Sequence, residues 1–345
     1  MTSTITYPYT LQRYQGRATR YTCPACQQPH CFTRYLDTAT GEPLDDSYGR
    51  CDHELNCGYH RSPYQDKPLK SLSGVPAWQV NTAQPGPITS AAWLAPPKTY
   101  TIPAEMLTSS VQPGYYQSNA LAKLLRHQLG IGDADDLLRR FQVGTSAYWR
   151  GACVFWLIDE HGRVRGGQVI LYDETGHTVK TPYRHTCWVH TAYTKRCQQL
   201  GIPVPTWLAD YTAYGQKSPC LFGLPQLASA PASQPVALVE SAKTAMLATF
   251  YLPQFLWLAT MGLSNLTEER LRPLKGRAIW LYPDAGAFEK WSQKAASLRR
   301  LGYQIEVSDL LEKAVTPAGR QAGLDLADIL LHEHPGYPPS WDFKL

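Results

Sequence analysis

Four cysteines near the amino end constrain this chain more than any other feature. Cys23 and Cys26 flank Pro24 and Ala25, and Cys51 and Cys57 follow, giving the spacing C-x2-C-x24-C-x5-C. Two close pairs joined by a loop suit a tetrahedral zinc ion. Each pair forms a turn whose amides point at the sulfurs, and the metal clamps the two turns together. The second pair is wider than the usual spacing, so His53, His60, His30 and Cys31 each stand as candidates to replace one thiolate. The plain alternative is four unrelated thiols. Cys153, Cys187, Cys197 and Cys220 are scattered without a pairing pattern and read as small buried apolar residues. An odd total of nine cysteines, with no leader-like start, predicts a reducing, cytoplasmic setting rather than a disulfide framework.

The chain has 345 residues, enough for two domains and a small module. It is 43% hydrophobic and 18% charged, as soluble proteins are, and no apolar run nears the ~20 residues of a membrane helix. No membrane partner is expected. The net charge of +5 excludes a basic-tail protein. Residues 236–345 are neutral, with twelve basic and twelve acidic side chains, whereas residues 116–235 carry twelve basic against eight acidic. A polyanion would meet the middle segment first, although an ordinary solvated surface has the same composition.

Residues 1–62 read as the zinc module, with a β-type run at 31–35. Residues 63–100 are rich in proline and polar residues and read as a linker. Helical periodicity appears at 119–129, and a second helix is predicted from Asp133, placed as its N-cap, to Phe141. Residues 152–158 are an apolar strand, 159–162 a turn, and 164–172 its hairpin partner. From Val236 the pattern alternates. Strands are expected at 236–240, 255–259, 278–282 and 303–307, with helical pieces at 243–250, 266–274, 287–301 and 324–331. Alternation of this kind predicts a mostly parallel sheet with its functional groups at the carboxyl ends of the strands.

Two acids stand at those ends. Glu240 closes the first strand and Asp284 follows the third, in Tyr282-Pro283-Asp284. Carboxylates gathered at one sheet edge suit Mg²⁺ or Mn²⁺, which keep waters for phosphates, and metal-assisted phosphoryl transfer is the natural chemistry. The structural alternative is that both acids only cap the helices that follow. Lys243 is placed to touch a phosphate, or to be a plain exposed helix lysine. Arg163, Arg165, Lys180 and Arg184, interleaved with Tyr172, Tyr183 and Trp188, are candidates for a nucleic-acid groove in which cations follow the backbone and rings stack on bases. Rings of this kind are more often core.

The strand ending in Glu240-Ser241-Ala242-Lys243-Thr244, the turn at Thr260-Met261-Gly262 and the strand ending in Asp284 resemble a toprim domain, the metal-binding fold of bacterial-type primases, topoisomerases and some nucleases. Upstream, residues 154–159 with 162–167 resemble the central hairpin of bacterial replicative primases, and 220–227 the stretch before their toprim strand. A zinc ribbon at the head gives the same order of parts. Nearly the whole chain is similar to a bacterial family linked to mobile elements, through Arg50-Cys51, Cys57-Gly58-Tyr59-His60, Phe155-Trp156, Leu171-Tyr172-Asp173, Tyr282-Pro283-Asp284 and Asp325-Leu326-Ala327-Asp328.

The resemblance implies an α/β and α+β multidomain protein: a zinc ribbon, a linker, a primase-core-like α+β domain over 101–233, and a toprim-like, Rossmann-like α/β domain over 234–345 with a mostly parallel sheet. It implies a primase-like protein that binds single-stranded DNA and, if active, joins nucleoside triphosphates at Mg²⁺ or Mn²⁺ held by Glu240 and Asp284, with a replicative helicase as a further partner. Asp325 and Asp328 match the late acidic motif. The pattern departs from toprim where Gly286 replaces the second acid of Asp-x-Asp. Asp325, Asp328 or, less directly, Glu289 are candidates to replace it. A binding or recruitment protein without catalysis is the rival expectation, and a toprim nuclease the third.

Overall fold

A computed structural model of the chain describes residues 8–14, 16–53, 57, 59–66, 99–216 and 218–333. Residues 1–96 and 97–345 form two compact units. Most of the expected linker lies outside the described residues, and only the short helix α1 (Pro63–Asp66) is seen at its start.

The first unit is a four-stranded antiparallel sheet in the order β1-β2-β3-β4, with β1 Tyr9–Leu11, β2 Phe32–Asp37, β3 Gly49–Cys51 and β4 His60–Arg61. Its core is very small. Cys23, Cys31, Phe32 and Cys51 are buried, with Tyr21 and Tyr59 packed against them. So little apolar surface cannot hold a module of this size, and a metal is the expected staple.

The second unit begins with α2 (Ala104–Ser110), α3 (Ala120–Leu129) and α4 (Ile131–Arg140). Asn119 caps α3 by accepting from the Ala122 amide. The sequence places Asp133 as the cap of α4, but the helix starts earlier. Gly130, at φ 84°, both ends α3 and opens α4, and Asp133 falls in the first turn. A residue free to take positive φ lets one helix end and the next begin without a loop.

An antiparallel sheet follows in the order β5-β6-β7-β8, with β5 Gly144–Ser146, β6 Ala152–Ile158, β7 Val164–Ile170 and β8 Thr186–Trp188. Every residue of β6 is buried. Its alternate side chains serve two cores. Cys153, Phe155 and Leu157 face the cluster that fills the carboxyl-terminal half. Ala152, Val154, Trp156 and Ile158 face α2, α5 (Val189–Leu200) and α6 (Thr206–Tyr214) through Leu107, Val189, Ala192 and Tyr211. Gly167 sits between them, since a Cβ there would lie 2.9 Å from both Trp156 and Val189.

The last part is a wholly parallel sheet in the order β10-β9-β11-β12, formed by β9 Val236–Val239, β10 Leu256–Ala259, β11 Ala278–Leu281 and β12 Gln304–Val307. Its crossovers carry α7 (Ala242–Tyr251), α8 (Glu268–Leu271) and α9 (Phe288–Arg300), and α10 (Leu310–Ala314), α11 (Pro317–Ala322) and α12 (Leu326–Glu333) follow. Phe222 pairs with Ala259 at the outer edge of β10, stacks on Phe141 and meets Phe155 edge-on. One hydrophobic cluster therefore runs from α3 through β6 to α12. The described parts of the expected segments 101–233 and 234–345 fall in the same compact unit.

Candidate zinc module and acidic cleft

Cys23 lies in the loop before β2, with Cys26 in the same turn, Cys51 at the end of β3 and Cys57 just beyond. The Cys57 amide donates to the His53 carbonyl and the Cys51 amide to that of Tyr59, which folds the second pair back on the first. The four sulfurs lie within 4.8 Å of one another. Cys23 to Cys57 is 3.6 Å and Cys26 to Cys51 is 3.9 Å. Zinc bonds of ~2.3 Å in tetrahedral array require sulfur edges of about 3.8 Å, so the residues fit zinc. Cys26 has its thiol lowered to about 6, chiefly through its contact with the His53 ring. Burial pushes the Cys51 thiol up, which a bound cation would reverse. Of the candidate substitutes, His60 bonds instead to the Tyr35 hydroxyl at 3.1 Å.

The second site is a cleft of about 550 Å³ in the larger unit. Parallel pairing sets Leu238 beside Leu281, so Glu240 and Asp284 leave neighbouring strands at the same carboxyl edge. The acids are not simple caps. Ser241, not Glu240, caps α7 by accepting from the Thr244 amide. Burial raises the Glu240 carboxyl above its ordinary value, with the nearby positive charge of Arg184 opposing the shift. Burial also pushes Asp284 well up, helped by the negative charges of Glu240, Asp325 and Asp328, while Lys243 pulls it back. Glu240 Oε2 has no hydrogen-bond partner. A buried carboxylate oxygen left unpaired next to a second raised acid is what a bound cation would satisfy.

Asp325 and Asp328 behave differently. They open α12 as a reciprocal cap: the Asp328 amide donates to Asp325 Oδ1 at 3.0 Å, and the Asp325 amide to Asp328 Oδ2 at 2.9 Å. Their remaining oxygens are also occupied. Thr244 Oγ1 donates to Asp325 Oδ2 at 2.7 Å. Lys243 Nζ lies 3.4 Å from Asp328 Oδ1 and 3.9 Å from Asp325 Oδ2, and His177 Nε2 is 3.5 Å from Asp328 Oδ1. Lys243 is thus not an exposed lysine, and within the cleft lining its ammonium faces Asp325 and Asp328. It is 5% exposed, because α7 packs against α12 and carries it into the acids. Among the described residues, the only sets of three or more metal-type donors within 4.8 Å of one another are in the zinc module. The cleft is therefore a pair of acids plus a neutralised second pair.

The remaining candidates divide. Lys180 and Arg184 line the cleft on the turn between β7 and β8, exposed and without an ion-pair partner among the described residues. Tyr172 is in the same wall but 7% exposed, so it packs rather than stacks on a base. Arg163 and Arg165 are at the other end of β7. Both bond to Asp159 Oδ2, at 2.8 and 3.2 Å, and brace the 159–162 turn. The four cations do not form one groove. Glu289 lies outside the cleft lining and accepts from Gln293 on α9. At the position of the missing toprim acid, Gly286 has φ 84°, and its amide donates to Glu312, which also pairs with Arg320. An aspartate there would need left-handed backbone, and its Cβ would lie 3.5 Å from Arg320 Cγ. His177 and Thr244 were not singled out by sequence. Both are common residue types in unremarkable context, and only the approach of α12 gives them a role.

Residues 119–285 match the family model described as Domain of unknown function (DUF6371), and residues 7–70 match the zinc beta-ribbon finger model. No curated protein matches the chain. Among solved structures, the primase fragment of the bacteriophage T7 primase-helicase protein is similar over 91% of this chain and 95% of its own, with TM-score 0.37 and 13% identity. The DnaG primase catalytic domain bound to single-stranded DNA is similar over 67% of this chain and 82% of its own, with TM-score 0.38 and 14% identity. The zinc-binding and RNA polymerase domains of the Aquifex aeolicus primase are similar over 68% of this chain and 53% of theirs, with TM-score 0.31 and 15% identity. No helix among the described residues is long and apolar enough to cross a membrane.

Proposed function

We propose that the chain is a primase-like protein that binds single-stranded nucleic acid and holds one Mg²⁺ or Mn²⁺ between Glu240 and Asp284. The observation that carries this reading is the unpartnered Glu240 Oε2 at the same strand edge as Asp284, whose carboxyl is driven up by burial and by neighbouring negative charge. Two carboxylates that oppose each other's ionisation do not both charge readily unless a cation lies between them, and otherwise one holds a proton. The bound cation would supply charge neutralisation at a phosphate and polarise an attacking hydroxyl. Lys180 and Arg184, which line the cleft without an ion-pair partner among the described residues, would receive the phosphate backbone. Lys243 would fix Asp325 and Asp328 and keep their charge from competing for the metal.

A second reading has a specific observation behind it. Asp325 and Asp328 are fully engaged by Lys243, Thr244 and their own caps, and Gly286 supplies no acid. A site so depleted favours a DNA-binding or recruitment protein that binds metal weakly and does no chemistry. Primer synthesis on single-stranded templates separates the two, with wild type beside Glu240→Gln and Asp284→Asn. Product lost in both variants supports the enzyme. No product from wild type with either metal, with DNA binding intact, supports the binding protein.

A further inference from the structure

The zinc module contains a second donor set that a single ion does not use. Cys26, Cys31, Cys51 and His53 also place one ligand atom each within 4.8 Å of all the others. The two sets share Cys26 and Cys51. They are not one six-donor cluster, because Cys23 and Cys57 belong only to the first and Cys31 and His53 only to the second. We propose that the module binds two zinc ions, with Cys26 and Cys51 as bridging thiolates, Cys23 and Cys57 completing one tetrahedron, and Cys31 and His53 the other.

The distances agree with two tetrahedra joined along an edge. The shared edge, Cys26 to Cys51, is 3.9 Å. On the first side Cys23 to Cys57 is 3.6 Å. On the second, Cys51 to Cys31 is 3.7 Å and Cys26 Sγ to His53 Nδ1 is 3.9 Å. Zinc bonds of ~2.3 Å to sulfur and ~2.0–2.1 Å to nitrogen set such edges at about 3.6–3.8 Å. Burial supplies a reason for the second ion. One zinc with four thiolates carries two net negative charges in a cluster where Cys23, Cys31 and Cys51 are buried. A second zinc, with Cys31 as thiolate and His53 neutral, leaves one, and uncompensated buried charge is costly. The competing state is a single zinc with Cys31 as a thiol donating to the Gln28 carbonyl, 3.1 Å away.

Zinc is counted on the full chain by elemental analysis and native mass spectrometry after saturation with zinc sulfate and desalting. The count is made in the Glu240→Gln/Asp284→Asn background, so that the cleft contributes none and the outcome is independent of the proposed function. Two zinc ions per chain are expected, falling to one in His53→Ala and to one in Cys31→Ser. His53 is exposed, so its variant tests the ligand without threatening the fold. In the cobalt-substituted protein, thiolate bridging would couple the two ions and depress the magnetic moment per cobalt below that of an isolated tetrahedral ion. One zinc per chain at saturation overturns the proposal. So do two that persist in both variants, or two with uncoupled cobalt moments.

Discussion

Replacing Lys243 with methionine tests how the cleft is held together. The side chain keeps its length and loses its charge, in a place where it is 5% exposed between Asp328 at 3.4 Å and Asp325 at 3.9 Å. At an effective dielectric near 20, a unit pair at 3.4 Å attracts by about 5 kcal/mol. Desolvating the ammonium offsets part of that, and removing one partner of a buried pair typically costs about 3–5 kcal/mol. The lower end applies here, because the acids retain the Thr244 hydroxyl and their mutual amide bonds. Lys243→Met should therefore destabilise the larger unit by about 3 kcal/mol, lowering its Tm by roughly 6–12 °C. Urea unfolding followed by tryptophan fluorescence gives the free energy, and a cycle with Asp328→Asn gives the coupling. The double variant should lose about 1–3 kcal/mol less than the two single losses added together. The same substitution should let a second Mn²⁺ enter at Asp325 and Asp328, raising the count by isothermal titration from one to two. A loss under about 0.5 kcal/mol, or strict additivity in the cycle, would refute the assigned role of Lys243.

Three further outcomes follow from the same geometry. Because the folded carboxyls of Glu240 and Asp284 are raised, the metal-free folded state binds more protons than the unfolded chain just above the ordinary carboxylate range. Metal-free stability should therefore fall as pH rises from that range through the raised folded values. Mn²⁺ affinity should rise over the same interval, and Glu240→Gln/Asp284→Asn should flatten the metal-free stability trend; a pH-independent difference from wild type would count against the coupled acids. Gly167→Ala should cost about 1–3 kcal/mol by pushing Trp156 against Val189, read as a lower urea midpoint, and an unchanged midpoint would mean that the contact relaxes freely. Single-stranded DNA binding should lose about 1.4 in its log-log salt slope in Lys180→Ala/Arg184→Ala. Arg163→Ala/Arg165→Ala should leave that slope nearly unchanged, because Asp159 already holds both side chains.

Much of the architecture was legible because it rests on local pattern. The continuous apolar runs at 152–158, 236–239 and 256–259 can only be buried strands, and each is. Strand-end acids in alternating βα sequence fall at one sheet edge by topology alone, which brought Glu240 and Asp284 together. What stayed hidden depended on distant partners. Arg163 and Arg165 read as groove residues because Asp159, which binds both, also reads as an ordinary turn residue. Lys243 read as a phosphate contact or an exposed helix lysine because nothing near it in sequence announces α12, more than eighty residues away. Asp133 read as a cap because a junction of two helices through one glycine leaves no loop to mark it.

The two-faced burial of β6 also governs how the larger unit comes apart. Losing either core strips one side of the same strand, so neither half can open while the other stays intact. Residues 99–333 should melt as a single cooperative block, with calorimetric and van't Hoff enthalpies in agreement. Amides of β6 should exchange with solvent only through global unfolding, making this strand the slowest reporter in the chain.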